Sequence, residues 1–354
     1  MSNSNFKMKY LFLFVSVFVI ISFFALSRYI FSTPAMEKFV IESLFKNNKI
    51  AYFGDSTLYS NHKSISDESL GLVDIFEKNI KIKTMEVSGA AYNPILYEEL
   101  LNAMYKINSS VQVTIIPINL RSFSSSWLDF PEYQFEQECS FLSIIYFDPN
   151  LNCIKDHLNN KFNPSFLNVK QKKYREEYIP GVGFLKTTKR RIFFEKTCLI
   201  DRVNREFSCK NKNDFDQYLA YMSAGVPAKR VMGILRYNYH YGEAINENNR
   251  ALNSIKKISE LALLYDKNIF FYFTPHNFEE VMKTSGEVIV NIMNDNINKI
   301  ISILNNKKNI KVMDFSNLLD SSYFDLECRC EHIDSEGKKI LSFQIIKALK
   351  DYNF

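Results

Sequence analysis

The fold is indicated by the stretch Lys49-Ile50-Ala51-Tyr52-Phe53-Gly54-Asp55-Ser56-Thr57-Leu58, and the rest of the chain is organised around this stretch. Its mostly apolar first half, residues 49–53, predicts a short buried strand. Gly54, Asp55 and Ser56 follow, and these residue types are typical of a tight turn. A serine between a strand and a helix exposes its hydroxyl at the edge of a sheet, near helix N-terminal amides that attract negative charge. Ser56 is therefore a candidate nucleophile, although Gly-Asp-Ser by itself is common in turns.

Predicted strands and helices alternate after this stretch. Further strands are expected at residues 80–87, 111–118, 268–273 and 309–315. Helices are expected at residues 34–47, 64–79, 93–104, 243–264, 286–304 and 335–349. The third helix has a clear start signal, because Asn93 is a favoured N-cap residue and Pro94 suits the first helical position. This order predicts an α/β fold with a parallel sheet and helices on both faces.

The alternation stops between residues 123 and 235. This segment contains the single tryptophan, Trp127, four of the six cysteines and many tyrosines and phenylalanines. It is too long and too aromatic to be an ordinary connection. We predict an inserted cap or lid subdomain at 123–235, between two parts of one α/β domain at 36–122 and 236–354.

The N-terminus predicts a membrane anchor. Residues 10–27 carry no charge, which is about the length that crosses a bilayer as a helix. Lys7 and Lys9 precede the run, so the positive-inside rule keeps residues 1–9 in the cytoplasm. We predict a single transmembrane anchor at 10–31 and a periplasmic or otherwise extracytoplasmic domain. A cleaved signal peptide is the alternative, because Ala25 and Ser27 form a small-x-small pattern.

Composition and cysteine usage narrow the class of protein. A hydrophobic content of 46% and a charged content of 23% are typical of a globular chain. The net charge of +5 is mild, and no basic stripe with interleaved aromatic residues argues for nucleic acid.

An even number of cysteines in an exported chain fits disulfides, and sequence proximity suggests the pairs Cys139–Cys153 and Cys198–Cys209. Cys328-Arg329-Cys330 lacks the usual spacing of zinc ligands, so no metal site is predicted.

Candidate chemistry follows several predicted strands, and a parallel sheet collects such groups at the carboxyl ends of its strands. Acyl transfer needs a nucleophile, a base and donors aimed at the oxyanion. Ser56 supplies the nucleophile, and His332, just before the last helix, supplies the base. The backbone N–H groups of Ser56 and Gly89 and the side-chain amide of Asn119 supply the oxyanion donors. His276, at the end of a later strand, is the second candidate base.

Each of these residues also has a purely structural interpretation. Ser56 is a favoured helix N-cap, Gly89 suits any turn, and Asn119 can cap the chain after its strand. Arg121 either binds substrate or pairs with a carboxylate. Asp55 is explained equally well as a turn residue that accepts hydrogen bonds from nearby amides.

Taken together, these motifs resemble those of a known family. Gly54-Asp55-Ser56, Gly89, Asn119 and His332-Ile333-Asp334-Ser335-Glu336-Gly337 resemble, in order, the four sequence blocks of the SGNH/GDSL hydrolases. The resemblance covers about residues 49–120 and 240–350. The piece 117–124 resembles the third block of membrane-anchored members associated with bacterial surface polysaccharides. The resemblance implies a flavodoxin-like three-layer αβα sheet and acyl-ester chemistry without a metal or other cofactor.

One position departs from the family pattern. The family places an aspartate three residues before the histidine, where this chain has Arg329. Asp325 is the first choice for the acid that orients His332 and Glu327 the second, whereas Glu331 is adjacent to the histidine and is expected to point elsewhere. A shifted acid, a Ser–His dyad steadied by a backbone carbonyl and an impaired enzyme are the three open outcomes.

The resemblance implies an acyl-ester hydrolase or O-acyltransferase acting on a cell-surface carbohydrate. The expected partners are a glycan acyl ester, the inner membrane and a membrane-bound acyltransferase. Arg121 and His276 are candidate substrate-binding residues. Two alternatives stay open: a catalytically silent, membrane-anchored scaffold in a polysaccharide modification complex, and an esterase directed at lipids.

Overall fold

The computed structural model of this chain describes the greater part of the predicted α/β domain. The described residues are 34–45, 47–58, 71–89, 91–107, 110–128, 135, 138–139, 142, 178–179, 183–184, 200–201, 206–207, 237, 240–305, 307–324 and 331–351. The predicted anchor at 10–31, most of the predicted insertion, Asp325, Glu327 and Arg329 lie outside them. Within these ranges no helix is both long enough and apolar enough to cross a membrane.

Parallel strands form the central sheet, as the sequence predicts. The described strands are β1 Ile50–Gly54, β2 Thr84–Ser88, β3 Val113–Ile118, β4 Tyr178–Ile179, β5 Gly183–Phe184, β6 Ile200–Asp201, β7 Glu206–Phe207, β8 Asn268–Phe273 and β9 Ile310–Asp314. Five of them pair in the order β2-β1-β3-β8-β9, with every pair parallel. The other four form two short antiparallel ladders, β4 with β5 and β6 with β7. The order of the five-stranded sheet is compatible with a flavodoxin-like arrangement.

The helices connect these strands. They are α1 Pro34–Phe45, α2 Leu72–Ile80, α3 Pro94–Lys106, α4 Ser125–Leu128, α5 Arg250–Leu264, α6 Phe278–Ser285, α7 Glu287–Leu304 and α8 Ser335–Lys350. Asn93 caps α3 as predicted, since its side chain accepts hydrogen bonds from the N–H groups of Ile95 and Leu96. The helix predicted from residue 243 begins only at Arg250, because the Asn249 side chain caps it by accepting from the N–H of Leu252. The α6 helix is not among the predicted elements.

Alternating side chains of the strands supply two apolar layers. On β1, Ala51 and Phe53 face a cluster that includes residues of α1, α3, α5 and α7, whereas Ile50 and Tyr52 face a cluster with residues of α2 and α8. The prediction of a parallel sheet with helices on both faces is therefore confirmed. Burying a large apolar side chain contributes roughly 1.5–3 kcal/mol, so each layer stabilises the sheet substantially.

The start of the predicted insertion packs against this domain. Trp127, Leu128, Phe135 and Leu142 are buried in the same apolar cluster as α3 and α5. Cys139 is buried there as well and is disulfide-bonded. The other five cysteines lie outside the described residues, so the identity of each pair stays a prediction.

A crevice is expected where the chain leaves β1 and β3. These strands are neighbours in the sheet, yet β1 leads towards α2 on one face and β3 leads towards α4 on the other. In open parallel sheets, ligands bind outside the carboxyl ends of strands at this kind of switch point. Ser56 follows β1 and Asn119 follows β3, so both lie at this edge.

Candidate functional site

The turn after β1 places Ser56 at the edge of the sheet. Asp55 is buried, and its Oδ1 accepts a hydrogen bond of 2.8 Å from the N–H of Thr57. The N–H of Leu58 donates to the carbonyl of Asp55 at 3.2 Å, which closes the turn. A side chain at position 54 would collide with Leu58, so glycine allows this close approach. Ser56 itself is half-buried.

The chain makes a second tight turn after β3. Asn119 is buried, and its Oδ1 accepts from the N–H of Arg121 at 3.1 Å as a 3-10 turn begins at Leu120. Its side-chain Nδ2 donates to Asp55 Oδ2 at 3.2 Å and to Glu331 Oε2 at 2.9 Å. Asn119 therefore joins the turns after β1 and β3 to the segment that carries His332.

Asp55, Arg121 and Glu331 form a buried ion cluster beneath these turns. Arg121 Nη2 donates to Asp55 Oδ2 at 2.9 Å, and Nη1 donates to Glu331 Oε1. All three residues are at most 5% exposed. The guanidinium also lies over the ring of Trp127, 4.4 Å from the ring centroid, in a cation–π contact. Arg121 is thus committed to two carboxylates and an aromatic ring.

His332 lies beside this ion cluster. Its Nε2 is 3.9 Å from Glu331 Oε1, and its side chain is 16% exposed. The chain here is fixed by a backbone hydrogen bond from Asp334 N–H to the carbonyl of Tyr323 at 2.8 Å, and by Asp334 as the N-cap of α8. None of the hydrogen bonds within the described part of the chain joins the Ser56 hydroxyl to His332.

Two predicted oxyanion donors make hydrogen bonds within the protein. Gly89 is half-buried at the end of β2, and its N–H donates to the carbonyl of Gly54 at 3.3 Å, which extends the ladder between β1 and β2. The side-chain amide of Asn119 donates to two carboxylates. Ala91, in the same turn as Gly89, has a φ of 62°, a left-handed conformation that is costly for a residue other than glycine.

His276 is buried behind the ion cluster. It follows β8, is 1% exposed, and packs edge-on against Tyr241 with 5.3 Å between the ring centroids. Neither ring nitrogen has a hydrogen-bond partner within the described structure. Burial, with the positive charge of Arg121 acting in the same direction, lowers the pKa of His276 to about 3. The imidazole is therefore neutral at physiological pH.

The structure brings most predicted site residues to one edge of the sheet. Ser56, Gly89, Asn119, Arg121 and His276 all follow carboxyl ends of strands, and His332 joins them through Glu331. Asp325 lies outside the described residues, and its predicted role stays a prediction. Within the described residues no three His, Cys, Asp or Glu side chains are placed to hold a metal ion.

Sequence reasoning missed the central place of Glu331 and its contact with Tyr241, whose hydroxyl donates to Glu331 Oε2 at 3.4 Å. The Glu331 carboxylate does point mainly away from His332, towards Arg121 and Asn119, yet it remains close to the imidazole. No sequence signal marks Tyr241, because its contact depends on how the chain before α5 packs. Comparison with protein-family models and with curated proteins finds no match for this chain.

Proposed function

We propose that this protein is an SGNH-type acyl-ester hydrolase or O-acyltransferase that acts on a cell-surface carbohydrate, with Ser56 as nucleophile and His332 as base. One observation carries the proposal. The buried ion cluster joins Asp55, the residue before Ser56, to Glu331, the residue before His332. Residues far apart in sequence are thereby held together at the switch point of a parallel sheet, where such folds place their sites.

The proposed reaction gives each of these residues a role. Ser56 Oγ attacks the acyl carbon while His332 accepts the hydroxyl proton, and the carbonyl oxygen becomes an oxyanion. The intermediate collapses to an acyl-serine as His332 returns the proton to the departing sugar oxygen. Water then releases the acid, or a hydroxyl of a second sugar takes the acyl group and completes a transfer.

The oxyanion is stabilised by N–H groups at the same edge. The predicted donors are the N–H of Ser56, the N–H of Gly89 and the Asn119 amide. At 3.3 Å, the bond from Gly89 N–H to Gly54 is at the long end of the hydrogen-bond range, so substrate can compete for this donor. The Asn119 amide has to leave a carboxylate before it can serve in the same way.

The proposed location follows from the sequence alone. The apolar segment at 10–31 anchors the chain in the inner membrane, with residues 1–9 in the cytoplasm and the site outside it. There the enzyme meets surface glycans and a membrane-bound acyltransferase partner. We propose that the aromatic insertion predicted at 123–235 serves as a cap over the sugar.

The proposal is tested with the full chain purified in detergent and a chromogenic acetyl ester. Ser56→Ala removes the nucleophile, and we expect the rate to fall by about 1,000-fold or more. Ser88→Ala is the matched control, because Ser88 is also a half-buried serine at the carboxyl end of a neighbouring strand. Equal rates in the wild type and in Ser56→Ala would exclude the esterase.

A fluorophosphonate reagent supplies a readout that does not depend on the substrate. It reacts with activated serines, so we expect one covalent adduct on Ser56 by peptide mass spectrometry. His332→Gln should suppress this adduct, because the serine then lacks its base. An adduct on another serine would contradict the proposed nucleophile.

The hydrogen bonds of Gly89 and Asn119 favour a second candidate, the silent scaffold in a polysaccharide modification complex. Two predicted oxyanion donors are engaged within the protein. A scaffold would show neither ester hydrolysis that depends on Ser56 nor an adduct on Ser56. The two experiments above therefore separate the enzyme from the scaffold.

A further inference from the structure

The ion cluster has an unbalanced charge next to His332. Asp55 and Glu331 carry two negative charges, and Arg121 carries one positive charge. All three residues are buried, so water screens the remaining negative charge poorly. The imidazole of His332, with Nε2 at 3.9 Å from Glu331 Oε1, lies where a positive charge would balance the cluster.

We infer that Glu331 is the positioning acid of this site and stabilises His332 in its protonated form, in place of the aspartate whose usual position is occupied by Arg329. The inference rests on the proposed function, in which His332 accepts the proton of Ser56. Glu331 acts through His332 and does not touch substrate.

Glu331 is fixed for this role from several sides. Arg121 Nη1, Asn119 Nδ2 and the Tyr241 hydroxyl all donate to its two oxygens. Arg121 is in turn held by Asp55. A carboxylate that accepts this many hydrogen bonds is held in one orientation and does not swing towards solvent.

The charged and titratable groups around Glu331 also influence how readily His332 is protonated. Arg121 and Asp55 come from the turns after β3 and β1, and Tyr241 comes from the segment before α5. Behind Tyr241 lies His276, whose imidazole is neutral. Among these described groups, Glu331 carries the negative charge that lies nearest to the His332 ring. This charge favours protonation of the ring.

The proton balance of the attack shows what this charge does. As the bond from Ser56 Oγ to the acyl carbon forms, the serine proton moves to His332, which becomes an imidazolium. Glu331 remains ionised and stabilises this cation without taking the proton. When the leaving oxygen departs, it takes the proton from His332, and the cluster returns to its starting charge.

The inference is tested by NMR titration of the full chain in detergent micelles, with ¹³C-labelled histidine rings. His332→Gln identifies the His332 signal. Glu331→Gln keeps the shape of the side chain and removes its charge, and we expect the pKa of His332 to fall by about one unit or more. Glu331→Asp restores the charge, so its shift should be less than half as large.

Asp55→Asn is the matched control, because it removes the other carboxylate that pairs with Arg121. A merely structural role for Glu331 predicts that Glu331→Gln and Asp55→Asn move the His332 signal alike. An unchanged His332 pKa in Glu331→Gln would overturn the inference. The inference would also be overturned if Asp325→Asn lowers the pKa of His332 and Glu331→Gln does not.

Kinetics give the second readout in the esterase assay. With Glu331→Gln we expect kcat to fall about 10- to 100-fold with little change in KM. This is less than the roughly 100- to 10,000-fold that a general base contributes, because His332 remains and only the charge beside it is removed. The acidic limb of the pH–rate profile should move to lower pH. The titration does not require activity, so absence of esterase activity contradicts the proposed function, whereas an unmoved His332 signal contradicts the inference about Glu331.

Discussion

Arg121 is the residue whose charge allows Asp55 and Glu331 to be buried side by side. Removing one partner of a buried ion pair leaves an uncompensated charge, which typically costs 3–5 kcal/mol. We expect Arg121→Met to lower the free energy of unfolding by about that amount. Lys339→Met is the control, because Lys339 pairs with Glu336 while both side chains are more than half exposed, and such surface pairs contribute about 1 kcal/mol or less. Urea denaturation at neutral pH measures both variants, and equal losses would show that the ion cluster is not a buried pair in solution.

His276 should make stability depend on pH. Its pKa is about 3 in the folded protein and 6.5 in an unfolded chain, so between these values the unfolded state binds more protons. The contribution of His276 is constant above pH 6.5 and is lost as the pH falls below it. Each pH unit in this window costs about 1.4 kcal/mol, which gives roughly 2 kcal/mol between pH 6.5 and 5.

The test compares urea denaturation at pH 7 and pH 5. In His276→Leu the difference between the two pH values should be smaller than in the wild type by about 2 kcal/mol. Phe278→Leu is the control, since Phe278 contacts the His276 ring and does not titrate. If His276→Leu shows the wild-type difference, the imidazole is accessible to protons in the folded state.

At the residue scale, the amino-acid sequence predicted which side chains lie at the site better than it predicted which residues they contact. The candidates Ser56, Asn119 and Arg121 follow from strand ends, which apolar runs reveal. That Arg121 pairs with Glu331, 210 residues later, does not follow from any local pattern. Such a pair depends on how the segment before α8 folds back over the sheet.

The α5 helix is tied to the site through its N-cap. Its N-cap, Asn249, accepts a hydrogen bond of 3.1 Å from the N–H of Leu252 and donates one of 2.6 Å to the carbonyl of Phe123, at the end of the turn that carries Arg121. Asn249→Ala removes both bonds, and we expect a loss of about 1–2 kcal/mol. Asn249→Ser keeps the cap and loses the contact with Phe123, so its loss should be smaller.

The proposed esterase activity is the readout that tests whether this contact positions the site. Both Asn249 variants lack the bond to Phe123 and should lower kcat similarly, although their stabilities differ. Asn93→Ala is the control, because it removes the cap of α3 and leaves the turn after β3 intact. Equal effects of Asn93→Ala and Asn249→Ser on kcat would exclude a positioning role for the bond to Phe123.

At the element scale, apolar periodicity located the five strands of the sheet because each is a short buried run between polar turns. The predicted strand at 268–273 coincides with β8. Helix boundaries were less predictable. The strand expected from residue 80 begins at Thr84, because α2 continues to Ile80 and ends with Lys81 in a left-handed conformation, a backbone choice that apolar periodicity does not reveal.

At the scale of the whole molecule, the five-stranded sheet is shared by two apolar layers. Tyr52 and Phe270 belong to the layer with α2 and α8, whereas Phe53 and Phe271 belong to the layer with α3 and α5. Neighbouring residues of the same strands pack into both layers. One layer therefore cannot unfold while the strands that it shares with the other layer stay folded. We therefore expect the described domain to unfold as one cooperative unit.

This cooperativity is testable because the only tryptophan, Trp127, reports on the layer that contains α3 and α5. Ile345→Ala creates a cavity in the opposite layer, where Ile345 is fully buried, and should cost about 2–5 kcal/mol. The urea midpoints measured by tryptophan fluorescence and by far-ultraviolet circular dichroism should fall together. The slope of the unfolding free energy against urea concentration should stay unchanged. Phe343→Ala, on the exposed side of the same helix, should shift neither probe. If Ile345→Ala moves the dichroism transition and leaves the fluorescence transition in place, the two layers unfold independently and the sheet does not couple them.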